Sequence, residues 1–147
     1  MSTAHDAERT NVIENADASD TQAILALLEA SFDPYADQLP MPYELHDAIT
    51  HHNVLVVKKD AILAALLFFE TQGFTSTVRY WAVAEPFRAF RLGSILMRHY
   101  FTAQTAVKRF ILWVTASNND ALKKYQHYGY APDGLVDYVL ANAMIPA

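Results

Sequence analysis

The sequence predicts a single-domain α/β fold with a mixed sheet, in which an antiparallel meander is followed by a β-α-β-α unit, over residues 1–147. Three observations carry that reading. Residues 53–84 break into three strand-like runs joined by tight turns. Residues 91–128 then alternate a helical pattern, an apolar strand and a second helical pattern. Finally, 147 residues at 52% apolar and 18% charged are enough for one buried core and too few for two. Residues 1–8 are polar and are set aside as a flexible end.

The elements follow in order. Residues 10–14 read as a short first strand. Ser19 and Asp20 are candidate caps for a helix whose apolar positions are Ile24, Leu27, Leu28 and Phe32. Asp33-Pro34 ends it, because proline disfavours helix at the preceding residue. Met41-Pro42 opens a second short helix through Ile49. Strands are predicted over 53–58, 62–70 and 75–84, with turns at Lys59-Asp60 and around Gly73. A helix over 91–104 presents Leu92, Ile95, Leu96 and Tyr100 (or His99) on one face. An apolar strand over 109–115 leads to a helix over 119–128, stopped by Gly129 as a left-handed cap. One or two final strands fall within 130–145. Parallel strands bridged by a helix after a meander imply a mixed sheet covered by helices.

Composition excludes several functions. With no Cys there is no disulfide framework, thiolate metal site or thiol nucleophile. The longest apolar run, 61–69, is far short of the roughly 20 residues a spanning helix needs. The polar, acidic N-terminal stretch lacks the apolar core of a signal peptide, so a cytoplasmic location is expected. Net charge is −5, yet between residues 79 and 124 there are eight bases against two acids. A basic segment in an acidic protein fits a small anionic ligand better than a nucleic-acid duplex. Scattered bases on solvated helix faces would give the same count. His46, His51 and His52 lack a supporting carboxylate pattern, so no metal is expected.

Three local features carry chemistry. The strand 80–83 runs into Ala84-Glu85-Pro86-Phe87, and Arg88-Ala89-Phe90-Arg91-Leu92-Gly93-Ser94 opens a helix. A strand, a turn and a helix start make an anion site, because unpaired N–H groups and the helix dipole point at the ligand. Arg88 and Arg91 stand where they add charge-assisted bonds to phosphate. The third feature is Asn118, Ala121, Tyr125, Gly129 and Tyr130.

With these residues the sequence resembles the GNAT superfamily of acetyl-coenzyme A-dependent N-acetyltransferases. That family's cofactor motif is [QR]-x-x-G-x-[GA]. Arg88 and Gly93 match its ends, while Arg91 stands at the middle glycine. In the second motif Asn118, Ala121, Tyr125, Gly129 and Tyr130 match every position. The resemblance implies a ternary-complex enzyme that moves acetyl from acetyl-coenzyme A to an amine of a small molecule or peptide. It implies two splayed parallel strands, here 75–84 and 109–115, with the pantetheine arm between them. Backbone groups of Ala82 and Val83 would pair with the arm and the thioester carbonyl. The backbone of Phe90, Arg91, Leu92, Gly93 and Ser94, with Arg88, would hold the pyrophosphate. Asn118 would line the cofactor groove or cap the following helix. Tyr125, expected on the first turns of that helix, would protonate the leaving thiolate; packing is its alternative role.

No general base is assigned; Glu70, Glu85, the histidines and a water chain stay open. Strand 75–84 has no acid. Ribosomal-protein N-terminal acetyltransferases carry Glu where this sequence has Trp113, and an indole accepts no proton. Phe32, Tyr35, Phe68, Trp81, Trp113 and Tyr138 either wall an acceptor pocket or pack the core. Two alternatives stand beside acetyl transfer: transfer of another acyl group, and a catalytically silent acyl-coenzyme A-binding module. No nucleic-acid or membrane partner is expected, and a homodimer is left open.

Overall fold

In the computed structural model of the protein, residues 12–32, 38–113 and 119–131 are described. The chain groups into two compact units, Met1–Leu112 and Trp113–Ala147.

The first unit is built on a five-stranded sheet in the order β1-β2-β3-β4-β5. Strands β1 (Val12–Asn15), β2 (Val54–Lys59), β3 (Ile62–Gln72) and β4 (Thr75–Val83) pair antiparallel, as the predicted meander requires. Strand β5 (Arg109–Leu112) pairs parallel with β4. The β2–β3 turn centres on Asp60 and Ala61, both at positive φ, which matches the twist of a two-residue hairpin.

Helices cover both faces of this sheet. Helices α1 (Thr21–Ser31) and α2 (Pro42–Thr50) pack on one face, where Ile24, Leu28, Leu45 and Ile49 join Val54, Val56, Leu66 and Phe68 in one cluster. Helix α3 (Leu92–Ala103) buries Leu92, Leu96, Met97 and Tyr100, and the Tyr100 ring meets Phe69 at 4.9 Å and Phe110 at 5.3 Å. Burial on both faces explains why β2 and β3 read as continuous apolar runs rather than alternating ones. Met97, not Ile95, completes the buried stripe of α3; Ile95 is half-buried.

The start of α1 corrects the expected caps. Asp17 accepts from the Ser19 N–H at 2.8 Å and caps a 3-10 turn, Ala18–Asp20, that precedes the helix. Ser19 and Asp20 do not cap α1. The Asp20 carboxylate is buried and held instead by Lys58 Nζ at 2.7 Å and by the Asp17 N–H at 2.9 Å.

Two irregularities shape β4. Opposite β3, Phe68 pairs with Tyr80 and Phe69 with Val78, so Arg79 is an extra residue in a β-bulge. On the other side, the register with β5 runs from Thr75↔Arg109 to Val78↔Leu112. Among the described residues, β4 therefore extends five residues, Arg79 to Val83, past its pairing with β5.

In the second unit the described element is helix α4 (Asn119–His127). Strands expected within 130–145, and the part of strand 109–115 beyond Trp113, lie outside the described residues.

Candidate active site

The site begins where β4 stops. Val83 is its last residue, and Pro86 enters the 3-10 turn Glu85–Phe90, stabilised by the Phe87 N–H to the Ala84 carbonyl at 2.9 Å. The Ala84 N–H donates to the Ala64 carbonyl on β3 at 2.8 Å. Peptide groups alternate sides along a strand, so Ala82 also faces β3, and Val83 faces the opposite edge. Arg88 Nε donates to that outward Val83 carbonyl at 3.3 Å, folding the guanidinium back over the strand end.

Arg91 then makes the turn into α3. Its φ of +57° and ψ of +30° are left-handed, a region where residues with a Cβ are disfavoured. This is the position where the resembled motif has glycine, so the departure at Arg91 is a side chain placed on a glycine-type backbone. Arg91 gives no side-chain cap to α3. The Ile95 N–H is the first to reach back, to the Arg91 carbonyl at 3.1 Å. The N–H groups of Leu92, Gly93 and Ser94 precede it and have no carbonyl one turn back, so they present donors at the positive end of the dipole. Leu92 offers only its backbone here, since its side chain is buried in the core. Ser94 is half-buried and Phe90 is exposed.

Gly93 is favoured for a different reason, close approach. A Cβ there would lie 3.3 Å from Val83 Cγ2 and 3.4 Å from the Trp81 ring. The indole Nε1–H of Trp81 donates to the Gly93 carbonyl at 3.1 Å. Glycine thus lets α3 start directly against the end of β4. One cation escaped the sequence reading: Lys59 Nζ lies 3.6 Å from the centroid of the Phe90 ring. Lys59 sits on β2, so no local pattern links it to this turn.

The second motif lies in the second unit. Helix α4 ends in paired bonds, the Gly129 N–H to the Gln126 carbonyl at 3.0 Å and the Tyr130 N–H to the Tyr125 carbonyl at 3.2 Å. With Gly129 at φ +94°, these form a Schellman stop. Tyr125 therefore lies in the last turn of the helix, not on its first turns, because Asn119 starts the helix and Gly129 ends it. Its ring meets Tyr130 edge-on at 6.4 Å, the side-chain contact that accompanies such a stop. Burial pushes the Tyr125 phenol above its usual pKa of 10.0, which keeps it a proton donor at neutrality. Asn118 lies outside the described residues, as do Tyr35 and Tyr138.

The remaining aromatic candidates separate. Phe32 and Phe68 pack edge-on against Tyr80, at 5.7 and 5.4 Å. Trp113 is exposed. Among the described residues, no group of His, Asp or Glu side chains is placed to hold a metal. None of their helices is long and apolar enough to cross a membrane. A cavity of about 490 Å³ opens between α2 and strands β3 and β4 of the first unit. Its lining includes Glu44, Asp47, Phe68, Glu70, Arg79 and Tyr80.

The sequence model of the acetyltransferase (GNAT) family matches residues 21–130. No curated protein matches significantly. Among solved structures, the PaiA N-acetyltransferase from Thermoplasma acidophilum in complex with coenzyme A superposes with a TM-score of 0.75 at 12% identity, over 86% of this chain and 92% of that one. Naa50 of Arabidopsis thaliana, in complex with the bisubstrate analogue CoA-Ac-MVNAL, gives 0.71 at 18% identity, over 88% and 89%. The ribosomal-protein-S18-alanine N-acetyltransferase from Escherichia coli gives 0.66 at 19% identity, over 81% and 76%. At these identities the structural likeness shows a shared fold.

Proposed function

This chain belongs to the acetyltransferase (GNAT) family of enzymes, and we propose that it transfers an acetyl group from acetyl-coenzyme A to a small-molecule or peptide amine. The observation that carries the proposal is the turn between β4 and α3. There an uncapped helix N-terminus, the left-handed Arg91 and the folded-back Arg88 converge at the end of a strand whose outer edge is unpaired with β5 among the described residues.

These groups fit an acyl-coenzyme A. The N–H groups of Leu92, Gly93 and Ser94 bind pyrophosphate oxygens, and Arg88 and Arg91 add charge-assisted bonds. Phe90 flanks the phosphates, with Lys59 parked on its ring. The Val83 N–H, facing away from β3, orients the acyl carbonyl and stabilises the negative charge that grows on its oxygen. Ala82 contributes by fixing the strand against β3. Acetyl-coenzyme A supplies an activated acyl group: its C–S bond breaks as the new C–N bond forms, and the amine gives up a proton. In this reading Tyr125 donates its phenolic proton to the departing sulfur and regains one from solvent, which also takes up the proton the amine gives up, and Asn118 lines the groove. We treat 1–147 as one catalytic domain.

Thiol release with a panel of amines, run beside calorimetric titration of coenzyme A, tests the proposal. Turnover with at least one amine is expected. Tight coenzyme A binding with no turnover across a broad panel would replace the enzyme reading with that of a silent acyl-coenzyme A-binding module.

A further inference from the structure

Helix α3 is tied to β4 by a side-chain hydrogen bond towards each of its ends. At the far end the Tyr100 hydroxyl donates to Ser76 Oγ, near the start of the strand. Both residues are fully buried, and Thr71 Oγ1 on β3 also donates to Ser76 Oγ, at 3.0 Å. At the near end the indole Nε1–H of Trp81 donates to the Gly93 carbonyl at 3.1 Å. The helix runs back along the strand, so the later strand residue meets the earlier helix residue.

The near tie stands at the turn that opens α3. Trp81 and Val83 are two residues apart on β4, so their side chains share a face. Gly93 sits against both, since a Cβ there would lie 3.3 Å from Val83 Cγ2 and 3.4 Å from the indole. Ala82, between them, turns to the other face and joins the core beside α1 and α2. A backbone carbonyl has two lone pairs, so the Gly93 oxygen takes the indole proton and still serves the helical ladder. Gly93 is also the middle member of the donor set formed by the N–H groups of Leu92, Gly93 and Ser94. The bond from Trp81 therefore fixes that donor set at one height beside the strand. The outward N–H of Val83 lies two residues further along the same strand.

We propose that Trp81 is a positioning residue: through its bond to Gly93 it sets the spacing between the phosphate donors of α3 and the acyl-orienting N–H of Val83, so that one acetyl-coenzyme A spans both. This rests on the acetyl-transfer reading above and names a residue that serves it. A ligand that touches both groups needs them in register, whereas a ligand that touches the phosphate donors alone does not. If the free protein holds the right spacing for only a fraction of the time, the affinity of the spanning ligand falls by that fraction. The indole suits the task because its donor is fixed in a rigid ring plane. Phenylalanine in its place keeps a ring beside Gly93 and lacks the donor.

Calorimetric titration of the full-length protein with acetyl-coenzyme A and with adenosine 5′-diphosphate tests this. The diphosphate carries the pyrophosphate but no pantetheine arm. In Trp81→Phe, acetyl-coenzyme A affinity is expected to fall about fivefold, the contribution of one neutral hydrogen bond, and diphosphate affinity by less than about twofold. Gly93→Ala presses on the same contact from the helix side and is expected to give the same split, so the test stands even if Trp81→Phe does not fold. Tyr100→Phe cuts the far tie alone and should leave the ratio of the two affinities at its wild-type value. Equal weakening of both ligands, weakening of neither, or the same split in Tyr100→Phe overturns the proposal, because Trp81 would then be one packing residue among others. A parallel thiol-release assay separates the two readings. The expected split without turnover of any amine would remove acetyl transfer and keep the role of Trp81 in cofactor binding. Turnover in the wild type with no split in the variants would do the reverse.

Discussion

The two motif regions differ in how sequence agreement relates to structure. The turn at Arg88–Gly93 departs from its motif at the middle position, and yet the backbone there has the left-handed shape that a glycine would take. Helix α4 satisfies every position of its motif that is described, and yet three of those positions, Tyr125, Gly129 and Tyr130, are accounted for by the way the helix stops. A mismatch in residue type can thus coexist with a glycine-like backbone, while a match can arise from local folding. For Arg91 the question is what the side chain costs. For Tyr125 the question is whether the hydroxyl acts beyond the ring's packing.

Tyr125→Phe answers the second question with the largest effect expected. The substitution keeps the ring that meets Tyr130 and removes only the donor. If the phenol protonates the departing sulfur, turnover falls by roughly 10²–10⁴-fold, as is typical of positioned acids. Cofactor affinity changes little, because the loss is confined to the transition state. Because burial raises this phenol above 10.0, loss of the acid's proton should not slow the wild-type enzyme below that pH. Full activity in folded Tyr125→Phe protein would leave Tyr125 as the packing partner of Tyr130 alone.

Gly93→Leu breaks the other region. Even its Cβ is pressed against Val83 and Trp81, and the rest of the side chain has to displace the indole that bonds to residue 93. Overpacking of this kind costs about 1–3 kcal/mol and should lower the melting temperature. Coenzyme A affinity should fall by more than for Arg98→Ala, an exposed arginine further along α3. Equal affinities for the two variants would move the phosphate cradle elsewhere. A smaller effect tests the charges. Raising salt from 0.05 to 0.5 M should weaken coenzyme A binding roughly threefold through screening of Arg88 and Arg91. A salt-independent affinity would leave the amides of α3 as the sole phosphate ligands.

Much of the fold was legible because the patterns are strong. Val54–Val57 and Ala64–Phe69 are buried on both sides, and the uninterrupted apolar runs record this directly. Gly129 announced the end of α4. The misreadings came from interactions between distant residues. Asp20 looks like a cap, but Lys58, on strand β2 far along the chain, takes its carboxylate. The bulge at Arg79 leaves no periodic trace within the strand, so the cavity it lines was not visible. Lys59 reaches Phe90 in the turn before α3 only because the β2–β3 hairpin folds beside it. Tyr125 was assigned to the wrong turn of α4 because the motif gives positions relative to Asn118, not to the ends of a helix.

The smallest expected effect bears on the first question, what Arg91 costs the turn. A side chain at φ +57° is strained, and glycine relieves that strain while losing more entropy on folding. The balance predicts that Arg91→Gly stabilises the protein by about 0.5–1 kcal/mol and raises its melting temperature by ~2–4 °C. Arg91→Ala removes the same charge but keeps the Cβ, so it should give no such gain. Coenzyme A titration of the same pair isolates the guanidinium. If it reaches phosphate, both variants lose affinity to the same extent at low salt, and the difference closes as salt is raised. If the two variants melt together, the left-handed backbone is not what arginine costs this turn, and the resemblance to a glycine position fails there.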